Sequence, residues 1–427
     1  MNQLLRLIGI ITITLSCTRG EEFELVFKWK QLAHADILQP AVPQDIVFKG
    51  QTIRNIGIDE TFNSYNNIPM GATHHKGRVF IAVPRRRPGV PATLNVININ
   101  KQKDTKSPPL TAYPEYIINQ LHNDYRADTK RIVSVYRTTI DRCDRLWFVD
   151  TGMLEYPNNT MQVQRPQLWI IDLEHDRKVR TFEIPEAIVQ QGVGMASLVV
   201  DVDTDDCQKA FAYIPDLVQG AIYVYSLEAN RMWSFRHASF QHDPEKTAFN
   251  VAGQRFNWDD GIFSITVGNR DPVTRLKPVY YHPMVSTSEF FTYTEVLQNE
   301  VLANAGGYEN LFQRIGDRGT NAQSTMHHYD PESQVLFYAE VNRNLIGCWN
   351  TRTNFSAENH DIIHHDNERL IYPTDLSADV TGAIWVLSNN LPTWIYSTLN
   401  ENRYNFYLWR QAPRRAIEGT KCDASFD

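Results

Sequence analysis

Past its first twenty residues the 427-residue chain has no apolar run of membrane-spanning length, so a helical anchor in the mature protein is excluded. It also lacks a basic surplus. With 42 Lys and Arg against 49 Asp and Glu, the net charge of −7 gives no general electrostatic reason to bind nucleic acid or an anionic bilayer. Missing too are the short motifs of several enzyme classes. No G-x-S-x-G elbow is present, since GMASL around Ser197 lacks the second glycine. G-x-x-x-x-G-K-[ST], G-x-G-x-x-G and H-E-x-x-H are absent as well, which removes the P-loop, dinucleotide and zincin readings. Cysteines number five with no C-x-x-C, so a zinc knuckle is excluded. No Gly/Ser-rich or Pro-rich linker divides the chain, and a single domain over residues 21–427 is expected.

What the chain has is repetition. RVFIAVPR from Arg78, RLWFVDTG from Arg145, KAFAYIPD from Lys209, KPVYYHPM from Lys277, QVLFYAEV from Gln334 and GAIWVLSN from Gly382 are copies of one apolar-aromatic strand signal. Their aromatics Phe80, Trp147, Phe211, Tyr280, Phe337 and Trp385 are spaced by 67, 64, 69, 57 and 48 residues. Upstream of each copy lies a strand with a polar turn, such as MGATHHKG, VYRTTIDRCD or DLSADVTG. Downstream lies another strand, such as QLWIIDL, AIYVYSL, EFFTYTEV or TWIYSTL. A fourth, outer strand is suggested only in places, for example VRTFEIP. Short β-branched and aromatic strands separated by Asp, Gly, Asn and Pro turns are the mark of antiparallel meanders. One such sheet cannot bury its own apolar faces, whereas six closed in a ring can. The expected fold is all-β, a six-bladed β-propeller.

The N-terminal MNQLLRLIGIITITLSCTRG has an early Arg6, an apolar stretch through Leu15 and small residues Thr18 and Gly20 before Glu21. This reads as a secretory signal peptide over residues 1–20. Its removal leaves Cys143, Cys207, Cys348 and Cys422, which allow three pairings. Cys143 and Cys207 precede corresponding strands of adjacent repeats, so they are expected to pair, leaving Cys348 with Cys422. Two glycosylation sequons begin at Asn158 and Asn354. A secreted, extracellular protein is expected, with no membrane partner, no nucleic acid and, since a closed ring offers no free sheet edge, a monomeric state.

VPRRRPGVPATLNVI from Val83, YRTTIDRCDRLWFVDTG from Tyr136, FNVAGQRFNWDDGIFSITV from Phe249, YYHPMVSTSEFF from Tyr280, IGCWNT from Ile346 and YPTDLSADVTGAIWVLSNNLP from Tyr372 closely resemble the insect Yellow and major royal jelly protein family. The likeness runs from about Phe27 to Cys422, and the triple arginine Arg85 to Arg87 is similar to the Yellow-f-like branch. The resemblance implies a secreted six-bladed propeller. It also implies one of two activities: isomerisation of dopachrome to dihydroxyindole in melanin synthesis, or non-catalytic binding of biogenic amines such as dopamine or serotonin. In either case the ligand is a small indole or catechol derivative, and no cofactor is expected.

In a propeller the loops that lead into the innermost strands, together with those joining second and third strands, surround one mouth of the channel. Here they carry Asp260 and Asp375, candidate catalytic carboxylates, and Arg86, a candidate clamp for a substrate carboxylate. They also carry Thr325, Asn342, Asn344 and Glu340 as candidate ligand-binding groups, the threonine and asparagines by resemblance to the ammonium site of salivary amine binders. Isomerisation needs a base near the carbon bearing the carboxylate and a donor near the quinone oxygens. A rival reading uses the pairs His74-His75 and His327-His328, on corresponding innermost strands, to bind a metal or move protons. Another has Asp260, Asp375 and Asn389 imitate the calcium shell of other six-bladed propellers.

Overall fold

The computed structural model describes residues 23–36, 46–48, 51–53, 62–156, 160–189, 194–203 and 205–423. The expected signal peptide and Asn158 lie outside the described residues. Six four-stranded antiparallel sheets form the blades. From the innermost strand outward, blade 1 is Gly71–His75, Arg78–Ala82, Leu94–Asn98 and Thr111–Ala112, and blade 2 is Val135–Ile140, Arg145–Asp150, Gln167–Asp172 and Arg177–Glu183. Blade 3 is Val199–Val202, Ala210–Asp216, Ala221–Ser226 and Arg231–Arg236, and blade 4 is Ile262–Val267, Pro278–Pro283, Ser288–Tyr293 and Gln313–Asp317. Blade 5 is Ser324–Asp330, Val335–Glu340, Leu345–Asn350 and His360–His365. Each innermost strand touches those of both neighbouring blades, blade 6 returning to blade 1, so the ring is closed.

Blade 6 takes Pro373–Ala378, Ile384–Ser388 and Phe406–Gln411 from the C-terminal side and its outermost strand, Glu24–Trp29, from the other end of the chain. Glu24 pairs with Arg410 and Trp29 with Phe406, so closure of the ring ties the two ends of the fold together. The segment TWIYSTL, read above as a strand, is instead the end of a helix, Leu391–Tyr396. Pro392 sits in its first turn, where a missing N–H does no harm, and Leu391 and Trp394 are buried.

The repeated aromatics fall on second strands, which neighbouring blades cover on both faces. That is why Arg145–Asp150 is buried at every position while the outer strand Arg177–Glu183 is mostly polar and exposed. In blades 2 and 6 the repeat has a further cause. Trp147 Nε1 donates to Asp141 at 2.8 Å and Trp385 Nε1 to Asp379 at 2.9 Å, so a turn aspartate six residues ahead anchors each indole. Gly71 opens the innermost strand of blade 1 because a Cβ there would stand 2.7 Å from the Tyr136 carbonyl and 2.9 Å from Arg137 Cα.

Both expected disulfides are present. Cys143–Cys207 joins equivalent turns of blades 2 and 3, and Cys348–Cys422 pins the C-terminal segment to the third strand of blade 5. The second closes 74 residues of sequence, and a cross-link of that span restricts the unfolded chain by about 4 kcal/mol on a loop-entropy argument. Replacing Cys348 and Cys422 together by Ser is expected to lower unfolding stability by about 2–4 kcal/mol, read as a fall in the urea midpoint. An unchanged midpoint would mean that the tail is held without the bond.

Candidate active site

The triple arginine divides into three separate roles. Arg85 is fully buried and donates to the carbonyls of Val90, Pro91, Asn119, Ile132 and Val133, so it builds the loops of blades 1 and 2. Arg87 lies over the Trp394 indole, its guanidinium carbon 3.6 Å from the ring centroid, and donates to the Trp394 carbonyl at 2.9 Å. Arg86 is half-buried; its Nε donates to Glu155 at 2.8 Å, and its Nη groups make no hydrogen bond among the described residues. A guanidinium held by one edge and open along the other is suited to receive a carboxylate.

Asp260, immediately ahead of the innermost strand of blade 4, feels the charge of Arg86. Its carboxylate has no hydrogen bond among the described residues and keeps part of its surface in solvent. Burial, with the like charge of Asp259, pushes its pKa up to about 6, against the opposing pull of Arg86 and His242. The electrostatic neighbours of Tyr372, just ahead of the innermost strand of blade 6, include Arg137, Asp260 and Arg86. Around these groups stand aromatic rings. Trp258 meets Tyr372 edge to face at 6.0 Å, and its Nε1 donates to the Tyr396 hydroxyl at 2.6 Å. Phe256 stacks on Tyr396 at 4.9 Å, so the hairpin of Ala248–Val251 and Gln254–Asn257 reaches the Leu391–Tyr396 helix of blade 6.

Asp375 is placed differently. It is sealed in the core, accepts from the backbone N–H groups of Ala72 (2.8 Å) and Leu376 (3.1 Å), and faces Arg137 Nε at 3.4 Å. Burial raises its pKa to about 6 even so. Arg137, from the innermost strand of blade 2, donates to Ala196 O (3.0 Å) ahead of blade 3 and to Thr374 O (2.6 Å) in blade 6. Its guanidinium carbon lies 4.9 Å from the centroid of the Phe263 ring in blade 4. One side chain thus crosses the channel and ties four blades together. The sequence carried a signal for it, an arginine in the middle of VYRTTI, in a strand whose place is the ring's interior.

The blade 5 candidates have internal partners. Thr325 Oγ1 donates to Pro373 O at 2.5 Å, a link between blades 5 and 6. Asn342 accepts from Asn250 N and donates to Ala248 O and Gln323 Oε1, holding the hairpin, and it borders a cavity of about 500 Å³ with Phe249, Arg255 and Phe256. Asn344 occupies a left-handed turn, φ 49°, and donates to Asn367. Glu340 is buried against Arg343 at 2.9 Å, with its pKa raised by burial, and lines a separate cavity of about 350 Å³ beside His360. Asn389 donates to Pro69 O and accepts from Leu391 N.

His74, His75 and His327 are also engaged, whereas the His328 side chain makes no hydrogen bond or ion pair among the described residues. His74 pairs with Asp379 at 2.7 Å and stacks on Trp385, and His75 faces Asp144 at 3.5 Å. His327 joins His282 and Glu289 in a buried group whose candidate ligand atoms lie within 4.8 Å of one another. This is the cluster with metal-ligand chemistry nearest the channel, but a cation is already there: Arg318 donates to Glu289 at 2.7 Å. Ser264 and the Thr325 carbonyl take the outer nitrogens of His327 and His282. The arrangement fits a charge-balanced network between blades 4 and 5 better than a metal centre.

A profile of the major royal jelly protein family matches residues 133–422. The chain is 45% identical over 412 residues to L-dopachrome tautomerase yellow-f of Drosophila melanogaster, covering 95% of each. It is 32% identical over 409 residues to a dopaminechrome tautomerase of the same fly, covering 94% of this chain and 84% of that one. Protein yellow of Drosophila melanogaster is 28% identical over 422 residues, covering 98% of this chain and 74% of that protein.

Proposed function

The chain belongs to the major royal jelly protein family, and from that footing we propose that it is a secreted tautomerase that converts L-dopachrome to a dihydroxyindole in melanin synthesis. The observation that carries this reading is the meeting of Asp260 and Arg86 at one channel mouth, each with hydrogen-bonding capacity that no described residue uses. Dopachrome is an indoline quinone with a carboxylate on its saturated ring. Arg86 receives that carboxylate, which presents the adjacent C–H to Asp260 as base, while the aromatic rings at the mouth cover the planar quinone. Similarity to L-dopachrome tautomerase yellow-f over 95% of both chains supports the substrate class.

The alternative, an amine binder, rests on Thr325, Asn342 and Asn344, and their hydrogen bonds to protein groups favour the enzyme reading. Export accords with two disulfides and with the absence, among the described residues, of a helix long and apolar enough to cross a membrane. The reading includes removal of residues 1–20, glycans at Asn158 and at the exposed Asn354, and a monomeric state.

The test follows loss of dopachrome absorbance with the purified protein, identifies the product by chromatography and, alongside, titrates dopamine and serotonin by calorimetry. Turnover is the expected result; stoichiometric amine binding with no turnover would overturn the reading. Arg86→Gln is expected to raise KM for dopachrome about tenfold or more, the worth of a charge-assisted hydrogen bond, and to change KM for carboxylate-free dopaminechrome far less. Equal effects on both substrates would remove Arg86 as the carboxylate clamp.

A further inference from the structure

The same mouth holds a third group with free hydrogen-bonding capacity. Tyr372 is 2% exposed, and its hydroxyl makes no hydrogen bond among the described residues, yet that oxygen is not sealed from solvent. A buried phenol ordinarily finds a partner, because desolvating an unpaired hydroxyl is costly. The backbone adds a second, independent observation. Tyr372 stands in the left-handed region at φ 51°, an uncommon conformation for a bulky residue, of the kind that persists where the surroundings fix a side chain in place. Trp258 packs edge to face against its ring, and Asp260, Arg86 and Arg137 are its charged electrostatic neighbours.

We infer that Tyr372 is a catalytic residue that donates its hydroxyl hydrogen to a quinone oxygen of the substrate while Asp260 takes the proton from carbon. This rests on the tautomerase reading above. The step balances without an outside oxidant or reductant. A C–H bond of the saturated ring breaks and its proton passes to the Asp260 carboxylate. The electron pair moves through the conjugated ring to the quinone oxygen, which takes the proton of Tyr372. The tyrosinate is reprotonated through solvent at the expense of the Asp260 carboxyl, restoring both groups. A second transfer of the same kind leaves both quinone oxygens as hydroxyls and the five-membered ring aromatic. Burial holds the phenol protonated at neutral pH, so it begins each cycle as a donor. Placed at the oxygen where negative charge develops, one such donor is worth about 10²–10³ in kcat.

The experiment measures dopachrome turnover by the full-length chain and by Tyr372→Phe across pH. The expected result is a kcat lower by about 10²-fold, with KM within about threefold of the wild type and the acid limb of the rate profile unmoved, since Asp260 remains. Undiminished kcat in Tyr372→Phe would overturn the inference. Should Tyr372→Phe fail to fold, site-specific replacement of Tyr372 by a difluorotyrosine keeps the shape and lowers the phenol pKa; the alkaline limb is then expected to move to lower pH. A stationary limb there would reduce Tyr372 to a packing role. Absence of turnover in the wild-type chain would instead refute the tautomerase reading itself, so the two failures are distinguishable.

Discussion

Asp260→Asn is expected to lower kcat for dopachrome by about 10²–10⁴-fold, the usual worth of a positioned general base, while leaving the propeller folded. The substitution is nearly isosteric, and the carboxylate it removes supports no described hydrogen bond, so little packing is lost. What disappears is the ability to accept a proton. Because the carboxyl is held at about 6, the wild-type rate is expected to fall tenfold per pH unit below that value, and Asp260→Asn should lack this limb. The stability effect has the opposite sign. A carboxyl whose folded pKa lies above the unfolded value of 3.8 binds more protons in the native state between about 4 and 6. Its contribution to stability is therefore present below the unfolded value and lost as pH rises through about 6. At pH 7 the native protein holds a charge it would rather not bury, and Asp260→Asn should melt at the same temperature as the wild type or slightly higher. Thermal melts beside absorbance kinetics check both statements. A variant with full kcat would return the role of base to another group.

The six blades were legible in the sequence because their second strands are walled in on both faces, so each must be apolar throughout and each recurs. The outermost strands were faint for the converse reason: Arg177–Glu183 faces water and obeys no strong pattern. The place of Glu24–Trp29 in blade 6 is invisible in the sequence, since its partner lies more than 370 residues away and nothing local records that pairing. TWIYSTL, residues 393–399, reads as a strand because its aromatics suit either state, although its first half lies in the helix Leu391–Tyr396; only Pro392 in the first turn hints at that.

At the mouth, loop order alone was enough to bring Asp260 and Arg86 to one place. It was not enough to separate free polar groups from engaged ones. Thr325, Asn342, Glu340 and Asp375 share the residue types of a binding site, yet each has partners on segments remote in sequence or across a turn, and those distances exist only in the folded ring. Tyr372 is not legible as a site residue because an aromatic ahead of a strand is ordinary; its hydroxyl, unpaired among the described residues, and its left-handed backbone are tertiary facts.

Arg137→Met is expected to destabilise the protein by about 3–5 kcal/mol at neutral pH, because it leaves Asp375 buried without its cation. The arginine also satisfies two carbonyls, Ala196 and Thr374, which lose that donor in the variant. The loss should depend on pH in a defined direction. Asp375 already has its pKa raised to about 6 by burial in the presence of Arg137, and removing that positive charge raises it further. With more protons bound in the folded than in the unfolded state, the stability of the variant falls as pH climbs from 3.8 through the new, higher folded value. The difference from the wild type is thus larger at pH 8 than at pH 5, where the carboxyl of the variant is neutral. Adding Asp375→Asn to Arg137→Met should recover part of the loss at pH 8, since the unpaired charge is gone, and little at pH 5. Urea unfolding at the two pH values measures all three statements. A loss below about 1 kcal/mol at both would mean that the innermost strands hold their places without the arginine, and that the ion pair serves the mouth above it rather than the ring.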